Sequence, residues 1–205
     1  MLVYCLNNPV NCFDNTGKDA IWIQEGGSAY TMGHSGLLVQ DSNGNWCYFY
    51  WGPADSEADI FTMIGGTPAV CILEEVDITG LNLHESRTRK QLFILFKQNS
   101  NKYEGTFFGN QCSQITEVKY FYGDYSATFE FLVNLKSKVD AEGATYKLLE
   151  INCCQVSCEA MGQSDERFNL ILPVALVPNI AYSEFISGFR PWPKRTKIIW
   201  EAAML

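Results

Sequence analysis

Basic charge is what this sequence has least of. Lys and Arg number 15 against 23 Asp and Glu, which leaves a net charge of −8, and no Lys/Arg cluster follows one face. Binding to nucleic acid through phosphate neutralisation needs such a cluster, so no nucleic-acid partner is expected. Long apolar runs are missing too. None approaches the ~20 residues that a spanning helix requires, and no membrane-spanning segment is expected. Met1-Leu2-Val3-Tyr4 has neither the basic start nor the apolar stretch of a signal peptide, so any export signal is expected outside this chain. Histidine is scarce, at 2 residues. Neither His34 nor His84 stands at ligand spacing from a cysteine pair, and Cys153, Cys154 and Cys158 are too crowded for a Cys-x-x-Cys knuckle. No metal site and no organic cofactor is expected.

Apolar residues, at 47%, are ample for a packed core. The length suits one large domain or one domain with a short appendage. The 8 cysteines are even in number, which in a small secreted domain would suggest a disulfide framework. A chain with this much core needs no staples, so mostly reduced thiols are expected, several of them buried as small hydrophobes.

Turn formers and a few apolar anchors fill residues 1–17, which read as an irregular arm. Strands are expected at residues 20–24, 32–41 and 46–51, with Glu25-Gly26-Gly27-Ser28 as a flexible break. Asn43-Gly44 predicts a hairpin through a type I′ turn. Residues 55–61 predict a short turn or helix, and 69–76 a strand. Residues 81–90 read as a polar loop or short helix with His84 exposed. The run Gln91-Leu92-Phe93-Ile94-Leu95-Phe96 reads as a buried strand, and 103–110 as an irregular loop. A strand over 118–123 precedes a helix over 127–138, whose apolar face holds Phe129, Leu132, Val133 and Leu135. A helix beginning at Cys153 is expected to end in a Gly162 C-cap. Residues near Pro178 and a strand over 197–200 close the chain.

The chemistry concentrates in Asn152-Cys153-Cys154-Gln155-Val156-Ser157-Cys158-Glu159-Ala160-Met161. Asn is a good N-cap. A thiol in the first turn of a helix gains from free backbone N–H groups and the helix dipole, which favour thiolate and can bind an oxyanion. With Asn152 as cap, Cys153 is the first helical residue and the natural nucleophile, and Val156, Ala160 and Met161 form an inward face. Cys154 lies about 100° further round, and physics alone leaves the choice between the two open. The plainer reading makes all three cysteines core residues. His34, in Gly33-His34-Ser35-Gly36-Leu37-Leu38-Val39, is the candidate base, with Gly33 and Gly36 clearing space beside it. The plainer reading makes it a hydrogen-bonded structural histidine. A third group usually orients the imidazole. Counting back across the hairpin brings Tyr48, Tyr50 and Trp51 near His34. Tyr50 is the candidate, with Asp55 as runner-up.

Two resemblances add to this. Tyr4-Cys5-Leu6-Asn7-Asn8-Pro9-Val10-Asn11-Cys12-Phe13-Asp14-Asn15-Thr16-Gly17 resembles the run that ends the core of Rhs (YD-repeat) proteins, with Asn15 in place of the family's proline. It implies a boundary between an arm at 1–17 and a C-terminal effector domain at 18–205, often a toxin, within a larger secreted bacterial protein. The histidine strand, the aromatic hairpin strand and Tyr146-Lys147-Leu148-Leu149-Glu150-Ile151-Asn152-Cys153 resemble the circularly permuted papain-like (NlpC-like) cysteine peptidases, with Val156 in the family's apolar place. Tyr120-Phe121-Tyr122-Gly123-Asp124-Tyr125 and Pro178-Asn179-Ile180-Ala181-Tyr182 are similar to features of Rhs-associated members. This resemblance covers about residues 30–185. It favours Cys153 over Cys154 and implies an α+β fold, an antiparallel sheet against the cysteine helix.

The expected function is a thiol hydrolase or acyl-transfer effector acting on a protein, peptide or acyl substrate, with Cys153 as nucleophile and His34 as base and acid. A cognate immunity protein is the partner that the Rhs resemblance implies. One alternative is a peptidoglycan amidase or peptidase acting on a competitor's wall. Another is a catalytically inactive binding module on the same fold.

Overall fold

The computed structural model describes residues 18–26 and 33–170. The Rhs-like run of residues 4–17, the segment near Pro178 and the strand expected at 197–200 lie outside the described residues.

The fold is α+β. Six strands form one antiparallel sheet: β1 (Ala20–Glu25), β2 (His34–Gln40), β3 (Trp46–Pro53), β4 (Thr67–Glu75), β5 (Ile115–Phe121) and β6 (Thr145–Tyr146), in the order β5-β1-β2-β3-β4-β6. The helices are α1 (Ile60–Gly65), α2 (Arg89–Gln98), α3 (Phe107–Gln111), α4 (Ser126–Glu142) and α5 (Cys153–Gly162). Short 3₁₀ turns lie at Ser100–Lys102, Cys112–Gln114 and Glu166–Leu170.

Both faces of the sheet are covered, which explains why its central strands read as continuous apolar runs rather than alternating ones. Alternation still sorts the side chains. Ala20, Trp22, Leu37, Val39, Phe49 and Trp51 pack against α4 and α5. Ile21, Ile23, Leu38 and Tyr48 pack against α2, α3 and the loop holding Val76, Ile78, Leu81 and Leu83. No helix among the described residues is long and apolar enough to cross a membrane.

Several local expectations are corrected, among them the irregular loop at 103–110, where Phe107–Gln111 is helical with Thr106 as its cap. Residues 91–96 are helical, not a strand. Thr88 caps α2: its hydroxyl accepts from the Gln91 N–H at 3.3 Å, and its own N–H donates to Gln91 Oε1 at 2.7 Å. Leu92 and Phe96, four apart, face the core, while Phe93 and Ile94 remain exposed. The Thr-x-x-Gln capping box was the decisive signal, since a short apolar run is ambiguous by itself. The hairpin between β2 and β3 forms, but not through a type I′ turn at Asn43-Gly44. The turn closes from the Gly44 N–H to Asp41 O at 3.1 Å, and only Gly44 has positive φ, at 85°. The Asp41 carboxylate takes the N–H groups of Asn43 at 2.7 Å and Asn45 at 2.8 Å, which favours Asp at the first position of an ordinary turn. Gly162 is the last residue of α5 rather than its C-cap, which is Gln163 in the αR region. A Cβ at Gly162 would collide with the Asn169 side chain, whose Nδ2 donates to Gly162 O at 3.2 Å. Close approach selects that glycine.

On α4 the buried residues are Thr128, Leu132, Leu135 and Val139. Val133 is exposed, so the buried stripe is rotated from the expected one. The sheet is tied to the start of α5 by Trp51, which is fully buried and donates its indole N–H to Ile151 O at 3.1 Å. Trp51→Phe should cost about 1–3 kcal/mol by leaving that buried carbonyl short of its donor. Urea denaturation followed by circular dichroism measures it.

Candidate active site

Asn152 builds the start of α5. Its Oδ1 accepts from the Gln155 N–H and its N–H donates to Gln155 Oε1, both at 3.0 Å. Its Nδ2 donates to Leu148 O at 2.8 Å, which holds the preceding turn. Cys153 is therefore the first helical residue, as the Asn-Cys order predicts.

The ladder between β2 and β3 runs only from Gln40↔Trp46 to Leu37↔Phe49. Beyond it the Ser35 N–H donates to Cys153 Sγ. The Tyr146 hydroxyl donates to the same sulfur and accepts from the Cys153 N–H. Cys154 faces elsewhere. It is fully buried, hydrogen-bonded with Cys158 and with the Ser35 hydroxyl, which also donates to Gln24 Oε1 at 3.2 Å. The six described cysteines are all free and buried.

His34 opens β2. Its Cα partner across the β1–β2 ladder is Glu25, and Ser35 pairs with Gln24. Alternation places His34 and Glu25 on the α2 face, and Ser35 and Gln24 on the α5 face. Glu25 is fully buried, and one carboxylate oxygen accepts from the Tyr48 hydroxyl at 2.9 Å. Residues 25–28 were expected to be a flexible break, so this buried carboxylate is a correction. Its signal lay in Ile21, Ile23 and Glu25, which share one face of an alternating strand.

Tyr50 lies where the hairpin count puts it, against His34, but it meets the imidazole face to face. The ring centroids are 4.3 Å apart with 23° between the planes. It restrains the ring by stacking, not by an in-plane hydrogen bond. Asp55, the runner-up, is exposed and accepts from the Glu57 N–H at 2.9 Å in a surface turn. Tyr146, which touches the sulfur, had no role assigned from the sequence. His84 is exposed, at an edge of the Tyr120 ring.

A cavity of about 350 Å³ opens beside this cluster, with His34, Tyr50, Met63, Gln111, Gln114 and Tyr146 among its walls. Cys153, in contact with the wall residue Tyr146, is itself buried at 2% exposure. His34 Nε2 is buried and has no hydrogen-bond partner among the described residues. The structure thus brings Cys153, His34 and Tyr50 to one end of the sheet without bonding thiol to imidazole. Among the described residues, no three His, Cys, Asp or Glu side chains gather as metal ligands.

Burial sets the charge state. It drives the Cys153 thiol well above its ordinary range, against the opposing pull of the Ser35 and Cys154 N–H groups, and the nearby Cys154 and Glu25 push the same way. It lowers His34 to about 3. The resting pair is neutral thiol and neutral imidazole, not the thiolate that a helix N-terminus alone would favour.

No family model matches the chain, and neither a curated protein nor a solved structure matches it.

The lowered His34 value makes stability depend on pH. The unfolded chain binds a proton near pH 6.5, whereas the folded protein resists it down to about 3. Protons are therefore taken up on unfolding between these values. The stability is fully present above pH 6.5 and falls as pH decreases, by at most about 1.4 kcal/mol per unit. Urea titrations between pH 7 and 5 should show this slope, and His34→Gln should flatten it.

Proposed function

We propose that the domain is a thiol hydrolase or acyl-transfer enzyme with a papain-like arrangement, in which Cys153 is the nucleophile and His34 the general base and acid. One observation carries this reading. Cys153 begins a capped helix and touches Ser35 and Tyr146, while the neighbouring His34 presents an unpartnered buried nitrogen beside a cavity that Tyr146 also lines. A buried imidazole nitrogen without a partner is costly in a purely structural role. It is useful in a base that waits for a proton.

The chemistry starts from a neutral pair. Cys153 Sγ attacks a carbonyl carbon of an ester or amide, and the S–C bond forms as the thiol proton moves to His34. The tetrahedral oxyanion needs donors, and the Cys153 backbone N–H is one. In the free protein that N–H is occupied by the Tyr146 oxygen, so substrate binding displaces the Tyr146 hydroxyl. Collapse breaks the bond to the leaving group, which takes the proton back from imidazolium. Water then releases the acyl group, or another nucleophile accepts it. The sequence resemblance supports delivery as the C-terminal effector of a Rhs-type secreted protein, with an immunity protein that blocks the cavity. A second reading is favoured by the burial of Cys153: a binding module in which thiol and imidazole are core groups.

An activated ester separates the two. Incubation with p-nitrophenyl acetate should release a burst of p-nitrophenolate and leave an acetyl group on Cys153, mapped by mass spectrometry of peptides. Cys153→Ala should abolish the burst, and His34→Ala should slow it by at least about 10²-fold. Cys154→Ala should stay within about threefold of the wild type. Acetylation scattered over several cysteines and indifferent to His34 would leave the binding module.

A further inference from the structure

The proposed base needs a counter-charge. When His34 takes the thiol proton, a cation appears in a region closed to water, which is expensive unless an anion stands nearby. Around His34, β3 contributes Tyr50, stacked on its ring, and Tyr48 on the same face of the sheet; Cys112 stands near Tyr48, Cys153 near Tyr50, and Glu57 at the cavity wall. The carboxylate on the facing strand is Glu25. It is the Cα partner of His34, on the same face of the sheet and fully buried. Its own position is fixed, because the Tyr48 hydroxyl donates to Glu25 Oε1 at 2.9 Å. Tyr48 in turn lies over Gly36, where a Cβ would stand 3.0 Å from the Tyr48 ring. A buried, anchored carboxylate opposite a buried histidine is a costly arrangement for the fold alone.

We propose that Glu25 is the positioning residue of His34, the anion that draws up to and balances the imidazolium as it forms when Cys153 reacts. This rests on the Cys153/His34 reading and assigns to Glu25 the orienting part that the sequence suggested for Tyr50. Tyr50 keeps the stacking part.

The sign of one rate change tests the assignment. The Glu25 charge also acts on Cys153, where it disfavours the thiolate. If that were its only effect, Glu25→Gln would speed alkylation of Cys153. Acting through His34, its removal slows it. The measurement is the rate of iodoacetamide modification at Cys153 near neutral pH, mapped by mass spectrometry on the full chain, with circular dichroism as the check on folding. Glu25→Gln should slow modification by at least about tenfold. In the His34→Ala background the same substitution should no longer slow it, a coupling that a structural role would not produce. Tyr48→Phe, which keeps the ring and removes one anchor of the carboxylate, should slow modification by less and stands in for Glu25→Gln if that variant does not fold. The assignment is overturned by a wild-type or faster rate in the folded variant tested, or by equal slowing with and without His34. If His34→Ala alone reacts at the wild-type rate, the Cys153/His34 reading falls and this assignment with it. If His34→Ala is slow but the Glu25 and Tyr48 variants are not, only the assignment to Glu25 falls.

Discussion

Water is kept from one end of the sheet, and the arrangement of polar groups there follows from that exclusion. Gln24, Glu25, His34 and Ser35 occupy the facing ends of β1 and β2, and all four are buried. A buried polar group must find its partner within the protein or cost the fold the lost solvation. Ser35 shows how tightly the partners are shared. Its hydroxyl serves Gln24 and Cys154, and its N–H serves Cys153. Tyr48 reaches across from β3 to Glu25, and Tyr146 reaches from β6 to Cys153. Within this group, His34 Nε2 is fully buried and has no partner among the described residues.

Exclusion of water also opposes charge. A helix N-terminus favours thiolate, but the dipole and two N–H groups work here against complete burial, and burial wins at Cys153. Burial likewise keeps His34 neutral. The resting site is therefore discharged, and the proposed reaction would create both charges together. On the proposed reading, the site stays quiet until a substrate displaces Tyr146 from the Cys153 N–H. Preorganised groups that meet charge only in the transition state contribute more to rate than groups already committed to a resting ion pair.

Much of this was legible in the sequence. The Asn152 cap placed Cys153 at the first helical position, and the hairpin count placed Tyr50 beside His34. The antiparallel sheet, the hairpin and the helix after residue 125 were all expected. What escaped had physical causes. Residues 91–96 form a dense apolar run, and such a run has no period to read. Its Thr88–Gln91 capping box carried the information instead. Asp41 closes the hairpin with a side-chain carboxylate, which overrides the Asn-Gly preference. Glu25 stood next to two glycines, and that neighbourhood suggested a break. Its partner Tyr48 comes from β3, across β2, which no local pattern shows. Tyr146 touches Cys153 through a register between β4 and β6 that no local pattern encodes.

The aromatics of β3 look, in sequence, like strand formers and nothing more. Their glycines say otherwise. A Cβ at Gly52 would stand 2.6 Å from Tyr50 Cε1, and one at Gly36 would stand 3.0 Å from Phe49 O and from Tyr48 Cε2. Each glycine leaves a trough in which a tyrosine ring lies flat. Tyr48, laid over Gly36, delivers its hydroxyl to Glu25, and Tyr50, laid over Gly52, delivers its face to His34. Strand propensity requires aromatic residues at neither position and glycines at neither trough. The two pairs are explained together only by the groups they deliver. The His34 ring is therefore set by a stacked ring on β3, the carboxylate on the facing strand β1 is anchored from that same strand β3, and both are fixed by side-chain packing rather than by a flexible loop.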